Sequence, residues 1–184
     1  MNLRTLLGVL LAWLGLSAAV LADEFEVTQA KARRDQNAWV LDARVRYGFT
    51  ATALEALDNG VPLTLEVRAQ VRRAGSWIWS PSLVDKQFLY QIRFQPLTNQ
   101  YQVVDVRSGS RRAFVTRASA VAALGEVDGV PLIEQSALEP GQKYQVHLKA
   151  ALDIEALPLP LRPLAYLKPS WQLSSAWSTW PLAP

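Results

Sequence analysis

His147 is the only histidine of the 184-residue chain, so base catalysis of the Ser-His-Asp kind would have to run through it. Asp153 follows on the same predicted strand face, but at strand rise it stands about 20 Å away, out of hydrogen-bond reach. No Gly-x-Ser-x-Gly elbow accompanies the histidine, and a zinc site would have to gather carboxylates around this one imidazole. Asp153 and Glu155 at i and i+2 would lie about 6 to 7 Å apart on a strand. A glycosidase needs such a carboxylate pair, but any exposed strand offers the same spacing. The sequence has no cysteine, which excludes thiol chemistry and a cysteine-linked lipid anchor, and its only methionine is Met1. Gly-rich phosphate loops are absent. The residues therefore assign no catalytic, cofactor-binding or metal-ligating group, and a hydrolase built on scattered carboxylates ranks behind two binding readings.

Those binding readings start from tryptophan and arginine. Trp77 and Trp79 flank Ile78 after an Ala74-Gly75 turn and point the same way in an extended segment. Trp171, Trp177 and Trp180 fall within ten residues of one another near the C-terminus. Aromatic groups so placed can form a platform for sugar rings or a hot spot for a partner protein, or they can simply fill the core. Arg44 and Arg46 alternate on one predicted strand, Arg68 and Arg72 on another, and Lys31 and Arg33 on a first. If these strands are neighbours, one sheet face carries a cationic stripe suited to lipopolysaccharide phosphates, anionic lipid headgroups or an acidic partner. Asp42 and Glu66 in the same rows would partly neutralise it, making an ordinary solvated face with cross-strand ion pairs.

Period-two alternation is what must position these groups. Trp39, Leu41, Ala43, Val45, Tyr47 and Phe49 alternate with polar residues, as do Leu63 through Val71 and Tyr144 through Ile154. Phe88 to Phe94 turns through Pro96 to Asn99 into Tyr101 to Val106 as a hairpin, and Phe25 to Arg33 forms a weaker first strand. Thr52 and Glu55 have the spacing of a capping box for a short helix that Gly60 closes. Thr116 or Ser119 starts a second, with Gly125 placed as a left-handed terminator. Strand rows with small helical interruptions predict a mainly β chain, an antiparallel two-layer β-sandwich with two short helical inserts. An open antiparallel sheet covered by the helices is the alternative.

Arg4, the apolar run Leu6 to Leu16 and the small-residue site Val20-Leu21-Ala22 read as a cleavable signal peptide over residues 1–22, which places residues 23–184 in the periplasm as a single domain. Half the chain is apolar, enough for one packed core without disulfides. From Asp23 to Arg117 fourteen basic residues face ten acidic ones, and from Ala118 onward four face six, too thin a basic excess for nucleic acid.

The C-terminal segment, residues 157–184, is unusual. It contains Leu157-Pro158-Leu159-Pro160-Leu161-Arg162-Pro163-Leu164-Ala165-Tyr166-Leu167-Lys168-Pro169-Ser170-Trp171, then Gln172-Leu173-Ser174-Ser175-Ala176-Trp177. Its prolines predict an extended arm, with Leu157, Leu159 and Leu161 on one face. Together with the signal segment, this box resembles a proteobacterial family of exported proteins classed as a domain of unknown function. The resemblance implies export and no assigned catalytic residue. It also implies genes lying near a ribosomal RNA methyltransferase and a nitrogen-regulation-type membrane sensor kinase. The resulting expectation is a non-catalytic module that contacts another envelope protein, the external part of a sensor kinase being the example, through Tyr166, Trp171, Trp177 and Trp180. A glycan- or lipid-binding module resting on Trp77, Trp79 and the arginines is the second expectation.

Overall fold

The computed structural model describes residues 25–76 and 80–182, so the predicted signal peptide and the Trp77 and Trp79 pair lie outside the described residues. Nine strands form two antiparallel sheets. The smaller contains β1 (Glu26–Asp35), β2 (Ala38–Arg46) and β7 (Glu126–Glu134) in the order β1-β2-β7. The larger contains β3 (Leu63–Arg73), β4 (Val84–Gln95), β5 (Gln100–Asp105), β6 (Arg111–Phe114), β8 (Tyr144–Leu152) and β9 (Ser178–Leu182) in the order β6-β5-β4-β3-β8-β9.

Alternation decides which side of each strand faces inward. In β3, Leu63, Leu65, Val67, Ala69 and Val71 are fully buried, whereas Glu66, Arg68, Gln70 and Arg72 are only half covered. In β8 the buried row is Tyr144, Val146, Leu148, Ala150 and Leu152. β2 meets these rows with Trp39, Leu41, Ala43 and Val45, and all of them belong to one apolar cluster. Each fully buried Leu or Val contributes about 1.5–3 kcal/mol relative to exposure. The expected two-layer sandwich is therefore present.

The layers are unequal. β1 lies across β8 and β9, and β7 lies across β3 and β4, so the small sheet stops short of β5 and β6. Helix α2 (Arg117–Leu124) packs against β4, β5 and β6 and covers that remainder, burying Ala120, Ala123 and Leu124. Helix α1 (Ala51–Asp58) buries Ala53 and Leu57 beside β4.

Local details differ from the sequence reading in instructive ways. The cap of α1 is Thr50, whose Oγ1 accepts from the Ala53 amide at 3.3 Å, so the Thr52–Glu55 box is not used. Gly60, at φ 83°, does end that helix. Thr116 caps α2, accepting from the Ser119 amide at 3.2 Å. Gly125 is right-handed, at φ −76°, and its role is close approach: a Cβ there would sit 2.0 Å from the Val45 carbonyl oxygen.

The proline-rich segment is not an extended arm. After β8, Asp153 caps a single 3-10 turn (Ile154–Ala156), so Asp153 and Glu155 do not share a strand face. A third short helix, α3 (Arg162–Leu167), follows, with Pro163 in its first turn, where the missing N–H costs no helical hydrogen bond. Leu157 is buried, Leu159 is exposed and Leu161 is half-buried, so the three leucines do not line one face. Beyond the 3-10 turn Pro169–Trp171 the chain returns along β8. The Leu152 amide donates to Leu173 O at 2.8 Å, the Ser175 amide to Ala150 O at 2.8 Å, and β9 then pairs with Tyr144 to Leu148. This last segment makes β9 an edge strand of the large sheet.

Candidate functional site

The arginine stripe is split by the topology. Arg44 and Arg46 lie on β2 in the small sheet and Arg68 and Arg72 on β3 in the large one, so the two pairs belong to different layers. Within each layer carboxylates hold Arg44, Arg46 and Arg68, while Arg72 donates to Gln70 Oε1. Arg44 Nη1 donates to Asp128 Oδ1 at 2.7 Å, Arg46 pairs with Glu26, and Arg33 Nε donates to Asp42 Oδ2 at 2.7 Å. Arg68 grips Asp85 with two bonds of 2.8 and 2.6 Å. Exposed pairs of this kind contribute about 0–1 kcal/mol each and give solubility and register more than recognition. Burial works against the charge on Asp42, but the Gly129 amide and Arg33 outweigh it and hold the carboxyl below its ordinary range.

The three C-terminal tryptophans have three fates. Trp171 is buried in the common core. Trp180 is half-buried and packs against that core, with its Nε1 donating to Ser178 Oγ at 3.1 Å. Trp177 is 44 % exposed and lines an open pocket of about 480 Å³ with Gln70, Arg72, Gln145 and His147. His147 Nδ1 lies 3.2 Å from Thr179 Oγ1, and burial, followed by the charge of Arg72, lowers its pKa below the ordinary histidine value.

α3 and the turn before it carry the largest concentration of exposed apolar side chains among the described residues. Leu159, Leu164, Tyr166 and Leu167 all stand in solvent within nine residues. Their scaffold is buried beneath them in Leu157, Ala165 and Trp171. Arg162 Nε donates to Leu157 O at 2.7 Å, Tyr166 OH donates to Glu155, and Thr50 Oγ1 donates to Ser170 O at 2.8 Å, tying the segment to its own turn and to the cap of α1. The sequence singled out Tyr166 and the tryptophans here but not Leu164 and Leu167. Only the placement of Pro163 in a helix start could have signalled that these two lie one turn apart on a helix.

A wider groove of about 970 Å³ lies between α1, α2 and the segment after β2. Its floor includes Val45, Phe49, Leu54 and Val121, and its rim holds Arg46, Arg117 and Tyr101. Asp58 fixes two of these by accepting from Tyr101 OH at 2.8 Å and pairing with Arg117. Neither Arg117 nor Tyr101 was picked out from sequence, because they meet Asp58 only through packing of distant elements.

A family model described as Domain of unknown function (DUF4390) matches residues 22–181, nearly all of the chain. The chain belongs to that family. No curated protein and no solved structure matches it. The DUF4390 match runs through residue 181, so α3 and its exposed leucines lie inside the domain and not beyond it. Among the described residues of this DUF4390 chain no three His, Cys, Asp or Glu side chains cluster as metal ligands, and no helix is long and apolar enough to cross a membrane.

Proposed function

We propose that this protein is a non-catalytic interaction module of the bacterial envelope that docks on another envelope protein through the α3 surface. The observation that carries this reading is the set of exposed apolar side chains Leu164, Tyr166 and Leu167 on a helix whose underside is locked into the core, with Leu159 exposed on the turn before it. Aromatic and aliphatic groups mounted on an ordered base lose little entropy on binding, which is what an interface anchor requires. The signal-like N-terminal segment supports an envelope address. The external part of a membrane sensor kinase is the partner class that the family resemblance suggests.

Truncation cannot test this, because the same segment supplies Trp171, Leu173 and Leu182 to the core. Point changes can. A photoreactive residue at Leu164 or Leu167 should crosslink an envelope protein in cells, while the same probe at Leu97, on the β4–β5 turn, should not. With the probe at Leu164, Leu167→Glu should remove the adduct and leave the melting temperature unchanged. Equal crosslinking from Leu97, or none from α3, sinks the proposal.

A further inference from the structure

We infer that the pocket beside Trp177 is a saccharide site that favours an acidic sugar. Its walls are set by strand register. Gln70 on β3 stands opposite His147 on β8, Arg72 opposite Gln145, and His147 opposite Thr179 on β9, all on the outward-facing row of the large sheet. A sugar presents hydroxyls in its ring plane and an apolar C–H face. Planar amides and a guanidinium bond the first in pairs, and an indole covers the second.

Trp177 stands two residues before Thr179, on the same outward side of the chain. Leu148 pairs with Ser178 and Ala151 bridges to Ser174, so β8 advances three residues while its partner advances four. The extra residue is a bulge just ahead of β9. Trp180 on the opposite row packs toward the core, whereas Trp177 remains 44 % exposed on the outer row.

The polar groups are held in place before any ligand arrives. Asp85 accepts from Gln70 Nε2 at 2.8 Å, and Gln70 Oε1 in turn accepts from Arg72 Nε and Nη2 at 3.2 and 2.9 Å. This relay fixes the guanidinium along the pocket wall. Arg72 and Arg73 both line the site; Arg73 pairs with Glu139, and no carboxylate is among the described lining residues. The Arg72 guanidinium on the wall favours a sugar bearing a carboxylate over its neutral counterpart. A volume of about 480 Å³ suits one or two pyranose rings.

The site is distinct from α3 and stands or falls separately from the docking reading. The test uses the full mature chain on an array pairing uronate- and muramate-bearing oligosaccharides with their neutral analogues, followed by titration of indole fluorescence. Acidic oligosaccharides should bind. Trp177→Ala and Gln145→Ala should each weaken binding at least tenfold, Arg72→Gln should erase the preference for the acidic member, and Trp177→Phe should retain most of the affinity. Absence of binding across the array, unchanged affinity in Trp177→Ala and Gln145→Ala, or a preference for the neutral sugars would each overturn the inference. Leu164→Glu with Leu167→Glu should bind sugar as the wild type does, so failure of one proposal leaves the other standing.

Discussion

Gly125 and Val45 meet backbone to backbone: the Val45 amide donates to Gly125 O at 2.9 Å, and a Cβ on Gly125 would lie 2.0 Å from the Val45 carbonyl oxygen. This contact joins the end of α2 to the end of β2, so it sets where the helix covers the bare part of the large sheet and where the groove floor lies. Gly125→Ala must push the two backbones apart. We expect a loss of about 2–4 kcal/mol, since overpacking against rigid backbone has no side chain to yield. Urea denaturation measures it, and a loss under about 1 kcal/mol would mean that the helix end can shift.

The C-terminal segment is a structural part of the sandwich. Ending the chain after Glu155 would remove β9 and the buried Leu157, Ala165, Trp171, Leu173 and Leu182, and would uncover the outer edge of β8. Such a truncation should fail to give a cooperative thermal transition. Trp171→Ala alone should cost about 3–5 kcal/mol in chemical denaturation, as for other large core side chains. A truncated chain that melts cooperatively near the wild-type temperature would show that the segment is an accessory after all.

How far the fold could be read beforehand follows from how regular each strand is. β2, β3 and β8 alternate without a break through their central residues, and their outward and inward rows were legible. β7 was not, because Gly129 at φ 61° and two register shifts against β2 break its period, leaving Val127, Val130, Leu132 and Ile133 buried at irregular spacing. Parity along a strand tells which residues share a face but not which sheet the strand joins. For that reason Arg44 and Arg68 looked like neighbours and belong to different layers. The α3 surface was hidden by Pro158, Pro160 and Pro163, which suggest extension when counted together, although Pro163 alone sits comfortably in a first helical turn. The Trp177 pocket depends on the pairing of β3, β8 and β9, distant in sequence, which no local pattern announces.

Tyr47 offers a test of packing. Its ring meets Phe25 edge-on at 4.8 Å and stacks with Phe49 at 5.9 Å, but its hydroxyl is buried without a hydrogen-bond partner among the described residues. Burial, with a smaller effect from Tyr90, pushes the phenol pKa well upward, so the group stays neutral at all ordinary pH. Removing an unsatisfied hydroxyl while keeping the ring should stabilise the fold or leave it unchanged, with a gain of up to about 1 kcal/mol for Tyr47→Phe. A loss of about 1 kcal/mol or more in urea denaturation would reveal a buried water bonded to that oxygen.

Asp85 links the stability of the large sheet to pH. Its hydrogen bond from Arg68 is the main cause that holds its carboxyl below the ordinary range, with Gln70 adding to it and partial burial opposing. A depressed folded-state pKa means that the carboxylate stabilises the fold above its unfolded value of about 3.9, and that this contribution fades as pH falls through the folded value. Both partners are about a third or more exposed, so the contribution should stay under about 1 kcal/mol. Between about pH 6 and about pH 3 the wild type should therefore lose slightly more stability than Asp85→Asn, which has no proton to take up. Urea midpoints at the two pH values decide it. A parallel fall in both proteins would show that Arg68 and Asp85 are not coupled in solution. The relay from Asp85 through Gln70 to Arg72 would then lack its anchor, and the preference for acidic sugars should weaken in Asp85→Asn only if that anchor is real.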